Sequence, residues 1–397
     1  MFSIKSKLDH NLRHIMDQKC YKSYRVLIYC KNLQQNIESK VKSYRGEVLR
    51  SIPFLNLIAA RVTDKALERL IEYPEVEYIC QDSYAHLCGT SVWSSNHAVV
   101  SERYMLTGKG VGIGLVDSGT YPHTDLLNPH NRIKFFFDLI NNCKYPYDDN
   151  GHGTFISGIL CGSGYSSKKM YRGVAENAGL FSIKAFDALG KGFISDILFA
   201  LNLLLEKSEE QNIKVICLPF EIRENLKLIQ ALFSSLFTKA VEKNIIIVVP
   251  AGHNGSGEDA LRGIAALSNC ITVGGLDTTR EIKPYQFSSE GFNGKRQKPE
   301  LCASAVDICS LNCVKEYVSE RNGVKLYPPA LEKPYTNYSG TSCAAAYVAG
   351  LCALLFENNS KLTFKDITSL MKVSARTLEM PVTFQGIGVI DINKLLP

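Results

Sequence analysis

Three short segments carry side chains able to perform nucleophilic chemistry. Asp117 closes the apolar run VGIGLVD, His152 lies in DDNGHGTFISGIL, and Ser342 lies in YSGTSCAAAYVAGLCALL. A serine hydroxyl attacks a carbonyl efficiently only when an imidazole accepts its proton, and a carboxylate must hold that imidazole in one tautomer. The pattern places Asp117 at the carboxyl end of a strand. It places His152 and Ser342 at the starts of two helices, each after a turn of small residues. A helix start at Ser342 also supplies backbone N–H groups to a developing oxyanion. The glycines around His152 and Ser342 let backbone and substrate approach closely. Taken singly, each residue has a bland role: a strand-end carboxylate, a capped surface histidine, a helix N-cap serine. Only the three together, in the order Asp, His, Ser, point to catalysis.

Such residues need a scaffold that holds them together. From about residue 109, short apolar strands (Val111–Val116, Leu180–Phe186, Ile213–Leu218, Ile245–Val249, Cys270–Gly274) alternate with helical patterns at Ile194–Lys207, Leu226–Lys243 and Thr341–Glu357. Runs such as IIIVV are apolar on both faces, as expected of parallel strands buried between two helical layers. Functional residues collect at the carboxyl ends of strands in such sheets. Residues 24–80 read as a separate compact module. Tyr24–Cys30, Phe54–Val62 and Glu75–Cys80 are β-rich; Leu33, Ile37, Val41 and Tyr44 recur at helical spacing. Thr63 is placed to cap a second helix with Ala66, Leu67, Leu70 and Ile71 inside. This order predicts a small sheet with two helices on one face. The stretch 82–108 connects the two modules.

Composition narrows the function. The chain has 397 residues, 45% of them hydrophobic and 21% charged, with a net charge of +6 and no basic block. That predicts a globular protein without nucleic-acid binding. The N-terminal MFSIKSKLDHNLRHIMDQK lacks an apolar signal core, and no run approaches the ~18 apolar residues of a membrane span. The expectation is therefore no membrane partner and a cytoplasmic chain, with non-classical export or a spore-associated location left open. Thirteen dispersed cysteines, most of them inside apolar runs, predict free buried thiols rather than a disulfide framework. Cys309 and Cys313 have no partner set with zinc spacing. The segment CGSGYSSKKMYRG after the His152 helix contains no acidic residue, so no metal is expected there and no cofactor is called for. The Gly-rich TGKGVGIG reads as a turn into a strand rather than a phosphate loop.

With these segments in view, the chain resembles the subtilisin-like serine proteases (subtilases, peptidase family S8). Subtilisin carries its triad in the same Asp, His, Ser order. The resemblance rests on DSG at Asp117, HTDL at 123–126, GHGT at His152 and SGTS at Ser342, with RGVAENAGL, FSSEG and KPEL as secondary matches. It implies an α/β three-layer subtilisin-like fold with a mainly parallel central sheet over 109–397. It implies a small α+β ferredoxin-like prodomain over 1–88, and a linker at 89–108. The implied activity is that of a serine endopeptidase acting on protein or peptide substrates through an acyl-enzyme, with Asp117, His152 and Ser342 as the catalytic set. The segment EVEYICQDSYAHL resembles the tail of the family's inhibitory propeptide, which occupies the substrate groove. Carried over, the processing site falls at Leu87, Cys88 and Gly89, and the prodomain is a partner of its own groove. Leu218, Pro219, Phe220 and Gly252 match substrate-binding positions.

Two departures stand out. Relatives carry a Gly-Asn pair whose amide donates to the oxyanion; here VVPAGHNGSG puts His253 at that position and Asn254 one residue later, so either could serve. Losing such a donor costs about 3–4 kcal/mol in subtilisin itself. Relatives also carry Ser-Leu-Gly-Gly where this chain has Pro219-Phe220-Glu221-Ile222, and Pro219 has no N–H to offer a substrate. These departures define an alternative expectation: a pseudoprotease that keeps its prodomain and acts as a binding or regulatory protein. An α/β-hydrolase esterase is disfavoured by the order of the triad and by the lack of a GxSxG elbow at Ser342.

Overall fold

The structure, a computed structural model, describes residues 7–19, 21–31, 34–87, 96, 106–224, 226–257, 260–292 and 297–396. Its contacts divide the chain into one unit of residues 1–84 with 193–202 and another of 85–192 with 203–397. Most of the expected linker at 89–108 lies outside the described residues.

In the first unit, four antiparallel strands are ordered Glu47–Ile52, Leu57–Val62, Tyr24–Cys30, Val76–Gln81. Helices Gln34–Ser43 and Asp64–Leu70 fall between them in chain order, which is the β-α-β-β-α-β ferredoxin-like arrangement. Alternation along the strands puts Val26, Ile28, Ile58, Ala60 and Ile79 into one core with Ile37, Val41, Leu67 and Leu70. Thr63 accepts the Ala66 N–H at 3.4 Å, the cap read from the sequence. The sequence reading missed Glu47–Ile52 because this edge strand is only half buried and carries Glu47 and Arg50. It also missed the helix His10–Asp17, which Asp9 caps through the Leu12 N–H at 3.1 Å. Inside this unit the first turn of the helix Ile194–Lys207 meets Asp82: the Ser195 N–H reaches its carboxylate at 3.0 Å and Arg25 at 2.6 Å. Arg25 also reaches Asp196 at 2.9 Å.

The second unit is built on an eight-stranded sheet. Its central order is Ile271–Asp277, Ile246–Pro250, Ile213–Cys217, Gly112–Asp117, Gly179–Lys184, Ile133–Asp138, all parallel. Leu301–Ser304 adds a further parallel strand beside Ile271–Asp277, and Lys283–Pro284 an antiparallel one. Ile133–Asp138 and Leu301–Ser304 escaped the sequence reading; the first is a half-buried edge strand and the second has only four residues. The sheet has helices on both faces. Ile113 and Leu115 join Phe155, Ile156, Val348 and Leu351 in one core, whereas Gly114 faces Leu204 on the other side. With a side-chain period of two, Asp117 shares the face of Ile113 and Leu115, under the helices His152–Cys161 and Thr341–Asn358.

The helix Thr341–Asn358 is the one described helix long and apolar enough in composition to cross a membrane, and 89% of it is buried inside the protein. Its Ala and Gly residues allow close packing. A Cβ on Gly350 would sit 2.5 Å from the Val174 Cβ and 2.8 Å from its Cγ1. Gly350→Ala therefore opposes a helix-propensity gain of about 1 kcal/mol with an overpacking cost of about 1–3 kcal/mol. Urea unfolding is expected to show a lower midpoint for the variant.

Candidate active site

Asp117 ends the strand Gly112–Asp117 and has no solvent exposure. His152 is the first residue of its helix, and Gly151 before it adopts φ 100°, a backbone state that favours glycine. Gly153 is required for a different reason: a Cβ there would lie 2.1 Å from the Gly119 carbonyl oxygen and 3.1 Å from the Asp117 Cβ. These two glycines bring the histidine turn onto the Asp117 strand end. The His152 Nδ1 then sits 2.9 Å from both Asp117 carboxylate oxygens. With a proton on Nδ1, Nε2 is left as the base. Burial pushes the Asp117 carboxyl up; the His152 ring and the Ser118 N–H, 2.6 Å from Oδ1, pull it back down.

A second buried carboxylate fixes the same turn. Asp148 accepts the N–H groups of Asn150, Gly151 and Thr154 at 3.1, 2.8 and 2.8 Å, together with the Thr154 hydroxyl at 2.6 Å. The Ser118 hydroxyl donates to Asp148 at 2.9 Å and accepts the Gly153 N–H at 2.9 Å. A carboxylate at a helix N-terminus satisfies donors that have no intrahelical acceptor.

Ser342 lies in the first turn of Thr341–Asn358 and is fully buried. Its hydroxyl donates to the Pro219 carbonyl at 2.8 Å, and the Thr341 hydroxyl donates to the Gly252 carbonyl at 3.1 Å. The serine turn is thus tied to both segments that the sequence reading named as substrate-binding. Leu218 donates its N–H to Val248 at 3.0 Å, and the Phe220 N–H turns back to the Leu218 carbonyl at 2.9 Å across Pro219. Phe220 is buried against Phe186, with ring centroids 5.1 Å apart.

The two oxyanion candidates differ in how they are bonded. The Asn254 side-chain amide donates to the Ala260 carbonyl at 3.0 Å, the Ser289 hydroxyl at 3.2 Å and Glu221 at 3.3 Å. The His253 N–H donates to Glu221 at 2.9 Å, its ring stacks on Phe287 at 4.7 Å, and its Nδ1 is buried with no hydrogen-bond partner among the described residues. Burial lowers the His253 pKa, partly offset by Glu221, so the ring is neutral at pH 7. Glu221 itself went unnamed as a site residue in the sequence reading. It is buried, takes a 2.9 Å contact from Arg223, and would sit 3.0 Å from a Cβ on Gly252. Its signal was a carboxylate inside an otherwise apolar run.

Of the expected processing residues, Leu87 ends the strand Tyr84–Leu87, while Cys88 and Gly89 lie outside the described residues. That strand is the middle one of three, between Phe220–Glu221 and Lys191–Phe193. Leu87 pairs with Phe220 and His86 with Glu221, antiparallel. No disulfide joins any of the eleven described cysteines.

A buried Asp–His pair at the end of a sheet, with a serine at another helix start, brings the residue types of a serine hydrolase onto one scaffold. The subtilase family profile (Peptidase_S8) matches residues 108–388, and the chain belongs to the subtilase family of subtilisin-like serine endopeptidases. It is 29% identical over 386 residues to serine protease AprX of Bacillus subtilis, an alignment covering 92% of this chain and 83% of the relative. Subtilisin E of the same organism is 25% identical over 354 residues, covering 88% and 82%. Fervidolysin from Fervidobacterium pennivorans, described as a keratinolytic enzyme related to subtilisin, shares the fold with a TM-score of 0.73 at 17% identity. That alignment takes in 95% of this chain, which spans 61% of the fervidolysin chain.

His123 has a structural place. Its Nδ1 accepts the Asp125 N–H at 3.0 Å, its Nε2 meets the Pro334 carbonyl at 2.9 Å, and burial lowers its pKa below the ordinary 6.5. Protonating Nδ1 would break the first bond. The unfolded state therefore binds the proton first, and this contribution to stability is lost as pH falls below about 6.5. Thermal melts from pH 8 to 5 are expected to show a falling Tm, with a shallower fall in His123→Gln.

Proposed function

We propose that Asp117, His152 and Ser342 hydrolyse peptide bonds through an acyl-enzyme. The observation that carries this reading is the His152 Nδ1, 2.9 Å from both oxygens of a fully buried carboxylate. The Ser342 oxygen attacks the scissile carbonyl carbon while its proton passes to the His152 Nε2. The tetrahedral intermediate expels the amine, which takes that proton. Water, deprotonated by the same nitrogen, then cleaves the ester and restores Ser342. Asp117 orients the ring and stabilises the imidazolium. The Ser342 N–H and His253 supply the oxyanion donors. His253 is preferred over Asn254 because the Asn254 amide is engaged within its own loop.

The chain is made as a proenzyme in this reading and cuts itself near Leu87, Cys88 and Gly89. Support comes from the strand Tyr84–Leu87, held between two edges as an added β-strand, the way an extended peptide binds a sheet edge. The prodomain is accordingly a partner of its own groove. One observation favours the pseudoprotease instead: the Ser342 hydroxyl is donated to Pro219, beside a segment whose Phe220 N–H is already satisfied.

The two readings separate by mass. Intact-mass measurement should show wild type cut near residue 88 while Ser342→Ala and His152→Ala stay whole. If wild type also stays whole, and a serine-reactive phosphonate fails to label Ser342 in folded protein, the pseudoprotease reading takes over. For the oxyanion donor, His253→Ala is expected to lower kcat by about 10²–10³ with KM little changed. Asn254→Ala should mainly lower Tm.

A further inference from the structure

Lys184 ends the strand next to Asp117 and is completely buried. A buried ammonium persists only where hydrogen bonds and opposite charge compensate it. All three Lys184 donors are used: on the Ser118 carbonyl at 2.6 Å, the Phe186 carbonyl at 3.0 Å and the Asp149 carboxylate at 2.6 Å. The Tyr147 ring lies 5.0 Å from its nitrogen. In the parallel register Lys184 is the direct partner of Asp117. One cation therefore joins the residue after Asp117 to the loop that leads into His152.

The acyl transfer described above makes no use of this group. We propose that Lys184 is a positioning residue for the reaction, clamping the Asp117 strand end to the His152 turn and balancing the carboxylates gathered there. The inference rests on the reading of Asp117 and His152 as a catalytic pair. Asp148 lies close enough to Asp117 to push its pKa up, and Asp149 is held by the ammonium itself, so without Lys184 these carboxylates would keep less positive charge beside them.

The other groups around this site are few. Lys315 brings its side chain within 3.2 Å of where a Gly151 Cβ would stand. Cys313 donates to the Asp148 carbonyl at 3.6 Å, and Asp138 accepts the Tyr147 hydroxyl at 2.9 Å. Cys217 lies beside Asp117, and the Tyr338 hydroxyl lies 3.6 Å from the Gly151 Cβ position. Burial pushes the pKa of Tyr147, Cys217, Cys313 and Tyr338 up, so all four are neutral near pH 7. The charged groups around it include the aspartates, Glu316 beside Cys313, Lys315 and Lys184.

Removing a positive charge should raise the pKa of the His152 ring, and removing a negative one should lower it. The test is NMR titration of the His152 ring in the full-length chain carrying Ser342→Ala. Lys184→Met is expected to move it up by on the order of one pH unit, and Asp149→Asn to move it down. With Ser342 intact, the acid limb of kcat/KM should move the same way, and Lys184→Met should lower kcat about tenfold with KM within about twofold. A general loosening of the fold does not produce shifts of opposite sign. Unshifted titrations, or shifts in one direction for both variants, overturn the proposal. Asp149→Asn keeps the ammonium in place, so it decides the question by itself if Lys184→Met does not fold. Opposite shifts in a chain whose wild type shows no peptidase activity would leave Lys184 in its role and sink the peptidase reading.

Discussion

A carboxylate buried as fully as Asp117 is stable in its charged form only when donors and positive charge surround it. The end of the central sheet is organised around that demand. His152 supplies one donor and Ser118 another. To reach Asp117 at all, the histidine turn needs a left-handed residue at Gly151 and no side chain at Gly153. The turn in turn needs Asp148 to satisfy its N–H groups, and that second buried charge needs Ser118 and Thr154. Lys184 sits under both segments. The local network has little slack, because an unsatisfied buried group costs more than a satisfied one contributes.

The other side of the site is built differently. Phe220 and Glu221 turn inward, one filling the core and the other gripping the His253 N–H. Glu221 links the edge beside Tyr84–Leu87 to the loop after the strand Ile246–Pro250. It holds both neighbouring candidates, the His253 N–H and the Asn254 amide. Asn254 is engaged by the loop, and His253 is left with a buried ring nitrogen lacking a partner among the described residues. A buried polar atom without a partner is a cost that a structure retains only for a reason.

The strands legible in the sequence were those buried on both faces. Ile213–Cys217 and Ile246–Pro250 announce themselves as apolar runs, and small-residue turns mark the starts of the His152 and Ser342 helices. Glu47–Ile52 and Ile133–Asp138 were hidden because an edge strand buries too little to leave a periodic signal. Asp117, His152 and Ser342 stood out because each sits in a short local motif. Lys184 did not, and Glu221 was legible only as part of an unusual segment, because their partners lie 35 and 32 residues away in the chain.

The sequence by itself determined the family and the α/β alternation, and it singled out the three residues proposed as the catalytic set, since each depends on local pattern and residue type. Tertiary structure alone decided that the Asn254 amide is hydrogen-bonded while the His253 Nδ1 is not, that Ser342 rests on Pro219, and that Lys184 is buried behind Asp117. The physical reason is that hydrogen-bond partners and burial belong to the packed chain, and one-dimensional spacing carries neither.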